Sequence, residues 1–337
     1  MASEEGEVYE MQRLIADLKS GNYKQIYLLY GEEDYLRKQY RDKLREALVP
    51  EGDTMNYRYY SGKEVPVGEV IDFAETMPFF AERRVLVLED TGLFQKGGEA
   101  LAAYMESPAP TVNFVFVESE IDKRSKIYKA VSKNGAVIEF ARQDENTLKR
   151  WVLSMLRKEN KQISEATLNL FFQMTGADMC NIRSETEKLL CYCMNKDSIT
   201  AKDVEEICTK QVTNQIFAMV DAIAAKQQKE ALALYYDLLT LKEPPMRILF
   251  LIARQFHILL QVKELAMKGY HDRDIAEKVG LHGFIAGKYV RQASKFKASY
   301  LREAVESCVE AEEMVKTGRM DDQLSVEMII VRYSAAS

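Results

Sequence analysis

The chain has 337 residues, 47% of them apolar and 29% charged, with a formal net charge of −6. These are the proportions of a globular protein of two or three domains rather than of a disordered or fibrous chain. No segment reaches the ~18 uninterrupted apolar residues needed to span a bilayer, and no basic start followed by an apolar run marks the N-terminus, so a cytoplasmic location without membrane contact is expected.

The negative excess lies in residues 1–142, which hold 19 Lys and Arg against 25 Asp and Glu; the remainder balances at 27 against 27. A broad basic surface that binds nucleic acid by itself is therefore excluded, and any contact with DNA must be local or shared with partners. Five cysteines stand at 180, 191, 193, 208 and 308. Cys191 and Cys193 are two apart, which on a helix points them to different faces, and no histidine accompanies them at ligand spacing. Neither disulfides nor a metal site are expected, and the cysteines read as small apolar fillers.

In chain order, Met11, Leu14, Ile15 and Leu18 recur at helical spacing over residues 9–19. The apolar run 25–31 predicts a strand ending on Gly31, and a helix is predicted to start near Asp34. A strand, a glycine turn and a helix are the frame of a phosphate-binding loop. The loop here reads Gly31-Glu32-Glu33-Asp34, without a second glycine or a Lys-Ser/Thr pair. Three carboxylates suit a helix N-terminus but repel a triphosphate, so Gly31, Glu32, Glu33 and Asp34 are read as a degenerate, non-binding phosphate loop.

A strand over Asn56 to Tyr60 and a helix over Val67 to Glu75 lead to Met77-Pro78-Phe79-Phe80, a connection on which Pro78 bars further helix. Two adjacent aromatic rings on a turn either fold under the helix end as a hydrophobic staple or stand exposed as an anchor for a partner. The run Arg84 to Glu89 is apolar throughout its middle, the pattern of a strand covered on both faces, and is expected to be the central strand of a parallel sheet. Arg83 and Arg84 are read as tuning its register. Glu89-Asp90 stands where a nucleoside triphosphatase carries its magnesium and water-activating carboxylates. A helix over Glu99 to Met105, a strand over Val112 to Glu118, a helix over Ser125 to Val131 and a strand over Ala136 to Phe140 complete a doubly wound parallel α/β unit.

From Asp144 onward strands are expected to vanish. Helices are predicted over 145–159, 164–174, 179–194 and 201–209, with Ser164 and the Thr200 to Asp203 box as start signals and Gly176 as a stop. The third is expected to bury Ile182, Thr186, Leu189, Leu190 and Cys193 and to turn Arg183, Glu185 and Lys188 to solvent. Helices over 215–225, 227–241, 245–268, 272–279, 284–296, 300–317 and from 323 follow. The one after Pro244-Pro245 is apolar on most sides and must be buried on several faces. Within 272–296, the spacing of Ala276, Gly280 and the apolar positions also fits a helix-turn-helix whose second helix carries Lys288, Arg291 and Lys295. Any tight helical corner has the same spacing.

The order of these parts resembles the clamp-loader branch of the AAA+ proteins, and within it the delta-subunit family of bacterial DNA polymerase III. The residues that carry the resemblance are Gly31-Glu32-Glu33-Asp34-Tyr35-Leu36, Met77 to Phe80 with Arg83 to Leu88, Asp178 to Leu189, and Pro244 to Lys263 with Ala253-Arg254-Gln255-Phe256. The resemblance implies an AAA+-like α/β domain over 1–142, a four-helix lid over 143–210 and a helical collar over 211–337. It implies a clamp-loader subunit of the replicative polymerase that binds and opens the sliding clamp (beta subunit) through Met77, Phe79 and Phe80. Its implied partners are the tau/gamma and delta prime subunits of a hetero-pentamer, and primer-template DNA through the assembled complex. No cofactor and no catalytic site are expected; the chain would be a non-catalytic subunit of a DNA-directed DNA polymerase, a nucleotidyltransferase assembly. The rival readings are an ATP-binding motor subunit of the same fold and a helix-turn-helix DNA-binding protein.

Overall fold

The computed structural model describes residues 2–209, 212–281 and 283–335. The chain falls into two compact units, 1–143 and 144–337. The boundary expected between residues 210 and 211 lies outside the described residues.

Unit 1 carries, in order, α1 (Ala2–Ser20), β1 (Ile26–Tyr30), α2 (Asp34–Leu48), β2 (Tyr57–Ser61), α3 (Val67–Glu75), β3 (Arg84–Glu89), α4 (Glu99–Tyr104), β4 (Val112–Glu118), α5 (Lys126–Asn134) and β5 (Ala136–Glu139). Helix α1 begins well before residue 9. All five strands are parallel, in the order β2-β3-β4-β1-β5. The middle strand is therefore β4, which corrects the expectation for 84–89. Burial on both faces holds for β1, β3 and β4 alike, so an apolar run identifies an interior strand without ranking it.

Successive residues of these strands alternate between two cores. Leu28, Leu86, Leu88, Phe114 and Phe116 pack on Val70, Leu101 and Ile127 from α3, α4 and α5. Tyr27, Leu29, Val87, Val115 and Val117 pack on Leu14, Leu44 and Leu48 from α1 and α2. Each strand turn thus feeds a helix to one face or the other, the doubly wound arrangement. Gly135 lets β5 begin close to β1, since a Cβ there would lie 2.5 Å from the Ile26 carbonyl oxygen.

Unit 2 carries α6 (Glu145–Lys158), β6 (Gln162–Ile163), α7 (Glu165–Thr175), α8 (Met179–Tyr192), β7 (Ser198–Ile199), α9 (Ala201–Ile207), α10 (Val212–Ala224), α11 (Gln228–Thr240), α12 (Pro245–Met267), α13 (Asp272–Val279), α14 (Gly283–Ser294), α15 (Ala298–Lys316) and α16 (Asp322–Ser334). The start signals act as read. Ser164 accepts from the Thr167 amide at 3.1 Å, and Thr200 and Asp203 form a reciprocal capping box. Strands do not vanish after Asp144: β6 and β7 pair in parallel, Gln162 opposite Ser198. Two residues are too few to leave a period in the sequence. Glu185 does not face solvent either. It is buried, accepts the Thr209 amide at 3.2 Å and pairs with Lys188 at 2.7 Å, because the chain leaving α9 returns over that side of α8. Leu190 is half-buried.

Helix α12 runs through a core shared with α10, α14, α15 and α16, in which Ile248, Ile252, Phe256, Leu259 and Val262 are sealed. The unit itself covers most of that apolar helix. Phe250 remains 62% exposed.

Candidate functional site

The connection from α3 to β3 is an exposed aromatic knuckle on a tightly bonded base. Met77 is 75% exposed, Phe79 55% and Phe80 96%. The two rings meet edge to face at 4.6 Å, and nothing folds them under α3, so the staple arrangement is not adopted. Helix α3 ends at Glu75, where Thr76 turns its hydroxyl back to the Asp72 carbonyl at 2.9 Å, ahead of Pro78. Phe80 sits at φ 49. A left-handed backbone at an aromatic residue costs on the order of 1 kcal/mol or more, and such strain persists only where neighbouring structure imposes it.

Two side chains hold the backbone that leads into it. Asn56, at the foot of β2 and 3% exposed, accepts the Phe79 amide on Oδ1 at 2.7 Å and donates Nδ2 to the Phe79 carbonyl at 2.9 Å. Asp53 orients that amide, accepting Asn56 Nδ2 at 2.8 Å and the Asn56 backbone N–H at 3.0 Å. Arg84, 8% exposed, donates Nε to Thr76 O at 2.7 Å, one terminal nitrogen to Met77 O at 2.9 Å and the other to Met55 O at 3.2 Å, with its guanidinium 4.3 Å from the Phe73 ring centre. Arg84 therefore braces the knuckle instead of setting strand register. Sequence reasoning missed both supports. The available signal was a charged residue opening an otherwise apolar buried run. Arg83 behaves differently, lying 5.7 Å from the Tyr23 ring and pairing with the exposed Glu82 at 3.2 Å.

Flanking the knuckle is a groove of about 740 Å³ lined by the end of α2, residues 49–53, Met55 and 79–83, with Glu46, Glu51, Asp53 and Glu82 among its walls.

At the opposite ends of the strands lies the loop Gly31 to Asp34. Gly31 has φ 123, and a Cβ there would meet Phe140 O at 2.5 Å, so the loop presses directly on the chain leaving β5. Three of its amides are already used: Gly31 N–H donates to Glu118 O at 3.2 Å, Glu33 N–H to Phe140 O at 2.9 Å and Asp34 N–H to Glu32 O at 3.1 Å. Its carboxylates are paired within the chain, Glu32 with Arg142 at 2.7 Å and Asp34 with Lys38 at 2.8 Å and with Arg37 at 3.1 Å. The acids at the end of β3 are matched too. Glu89 is bound by Arg41 and by the Tyr59 hydroxyl at 2.9 Å, and Asp90 lies 3.7 Å from Arg37. The structure thus gathers Glu32, Glu33, Asp34, Glu89 and Asp90 at one end of the sheet and Met77, Phe79 and Phe80 at the other.

The helix-turn-helix residues are only partly on the surface. Lys288 lies 4.1 Å from the Phe217 ring centre, with burial pushing its ammonium pKa down, and Lys295 pairs with Asp221 at 2.7 Å. Of the three cations, Lys288 is half-buried, and Arg291 and the paired Lys295 are exposed. Among the described residues no helix is long and apolar enough to cross a membrane.

Two family models match the chain: "DNA polymerase III, delta subunit" over residues 27–141 and "DNA polymerase III delta subunit, C-terminal domain" over residues 213–333. A DNA polymerase III subunit delta from Bacillus subtilis (strain 168) is 29% identical over 327 residues, 94% of each chain. A probable DNA polymerase III subunit delta from Aquifex aeolicus (strain VF5) is 23% identical over 280 residues, 79% of each. A solved structure, the Bacillus subtilis DNA clamp loader delta protein, aligns with a TM-score of 0.74 at 27% identity and covers 96% of this chain and 98% of that one. With both family models in their expected order, and with relatives matched over nearly their whole length, the chain belongs to the DNA polymerase III delta-subunit family.

Proposed function

We propose that this chain is the clamp-loader subunit that binds and opens the sliding clamp during DNA replication, and that Met77, Phe79 and Phe80 are its clamp anchor. The observation that carries the reading is the pair of exposed aromatic rings on a backbone held by Asn56 and Arg84. Aromatic residues on rigid segments are the usual interface anchors, and a segment ordered before binding loses little entropy on docking. Opening is then a mechanical consequence of affinity. A ligand that binds the open ring better than the closed one shifts the ring toward opening by at most that difference.

The loop Gly31 to Asp34 serves as a scaffold, so nucleotide acts through partner subunits. In this reading residues 143–210 are the lid and 211–337 the collar that joins the tau/gamma and delta prime subunits in a hetero-pentamer around primer-template DNA. The collar assignment is supported by an exposed apolar stripe on α16, Leu324, Met328 and Val331, next to Tyr236 of α11, whose hydroxyl donates to Glu327 at 3.0 Å. A stripe of that kind on a water-facing helix suits a subunit interface.

The test is the Phe79→Ala/Phe80→Ala double variant. Clamp affinity should fall about 30- to 1000-fold with melting nearly unchanged, since exposed rings contribute little to the free fold. Unchanged affinity would remove the anchor reading.

A further inference from the structure

Next to the acidic groove, and sharing Arg83 with it, lies a second cavity of about 440 Å³ lined by Arg13, Asp17, 21–24 and Arg83. Three cations, Arg13, Lys24 and Arg83, converge there in a unit whose net charge is negative. The acid in its wall, Asp17, is buried and engaged by the Tyr27 hydroxyl at 2.9 Å. Among the described residues the Lys24 ammonium has no hydrogen-bond or ion-pair partner. Arg13 and Arg83 pair with Glu10 at 3.7 Å and Glu82 at 3.2 Å, both partly exposed contacts that a better-placed anion can displace. Arg83 is three residues from Phe80, so whatever receives the aromatic pair comes within reach of this pocket.

We propose that the Arg13–Lys24–Arg83 pocket receives a carboxylate of the sliding clamp beside the apolar site that takes Phe79 and Phe80. This rests on the anchor reading given above. A carboxylate fits better than a nucleic-acid backbone, because the cations are confined to three side chains at one cavity and the surrounding unit carries the excess of acids that repels a polyanion. With Glu46, Glu51, Asp53 and Glu82 in the groove and three cations lining the adjoining cavity, the partner is read by charge as well as by shape, which fixes orientation and speeds association.

The experiment measures clamp binding by the full-length chain at low and high salt for wild type, Phe79→Ala/Phe80→Ala, Arg13→Ala/Lys24→Ala, Lys24→Glu and Lys24→Arg, with thermal melting and binding of a short DNA duplex in parallel. The Arg13/Lys24 variant should bind about tenfold more weakly at low salt, mainly through slower association, with the deficit fading as salt screens the pair. Lys24→Glu should be worse and Lys24→Arg close to wild type, with melting unchanged in all. If the aromatic variant loses affinity while the Arg13/Lys24 and Lys24→Glu variants match wild type, the pocket proposal alone is overturned. If the aromatic variant binds as wild type does, the anchor reading fails and takes this one with it. Loss of DNA binding at unchanged clamp affinity would assign the pocket to phosphate and overturn the proposal.

Discussion

Asn56 holds Phe79 by both of its backbone groups, accepting the amide at 2.7 Å and donating to the carbonyl at 2.9 Å, across 23 positions of sequence. A buried carboxamide with both ends bonded acts as a clip, fixing the peptide plane from which the exposed ring projects. Asn56→Ala removes the clip and leaves both Phe79 groups without it. Stability should fall by about 1–3 kcal/mol, and clamp affinity should fall with the knuckle sequence intact, because the loop must then be ordered during binding. Chemical denaturation and clamp titration on the same variant check this; full affinity in a destabilised protein would mean the clip serves the fold alone.

Arg84 bonds the carbonyls of Thr76, Met77 and Met55 with three different nitrogens. Arg84→Met keeps the volume and loses the fork, and should lower stability by about 1–3 kcal/mol while weakening clamp binding. Arg84→Lys should rescue little, because a single ammonium cannot span three acceptors in that geometry. Arg83→Ala should leave the melting temperature near wild type. Equal melting for Arg84→Met and Arg83→Ala would refute the bracing role.

Because the Gly31, Glu33 and Asp34 amides are bonded inside the chain, a triphosphate would have to break those bonds and face Glu32, Glu33 and Asp34. Calorimetry with Mg-ATP at about millimolar concentration, where a site of about −4 kcal/mol begins to fill, should show no saturable heat. A saturable signal would instead favour the motor-subunit reading.

Asp203 is held at a pKa of about 2 by the Lys196 ammonium at 2.5 Å and by the Thr200 amide and hydroxyl. A carboxyl depressed below its ordinary ~3.9 stabilises the fold above that value and gives the contribution up as pH falls from about 4 to about 2. Asp203→Asn should therefore melt lower than wild type at pH 7, by a free energy on the order of 1–2 kcal/mol given the half-exposed Lys196, and the gap should close toward pH 2. Melting curves from pH 7 to pH 2.5 read this directly; a gap independent of pH would assign the loss to packing.

The sequence by itself determined the elements and their class. Apolar runs at β1, β3 and β4, capping residues at Ser164 and Thr200, and Pro78 are local signals, read within a few residues of where they act. It also marked Met77, Phe79 and Phe80, since a proline and two rings between a helix and a strand leave few places for the rings to go. Only the tertiary structure decided which strand is in the middle, that Glu185 turns inward to the Thr209 amide, and that Asn56 and Arg84 support the knuckle. Each of these depends on partners distant in sequence or brought in by a chain reversal, and a hydrogen bond across such a gap leaves no periodicity. The two-residue strands Gln162–Ile163 and Ser198–Ile199 were hidden for the same reason: what makes them strands is their pairing with each other, 36 residues apart, and nothing in either dipeptide alone.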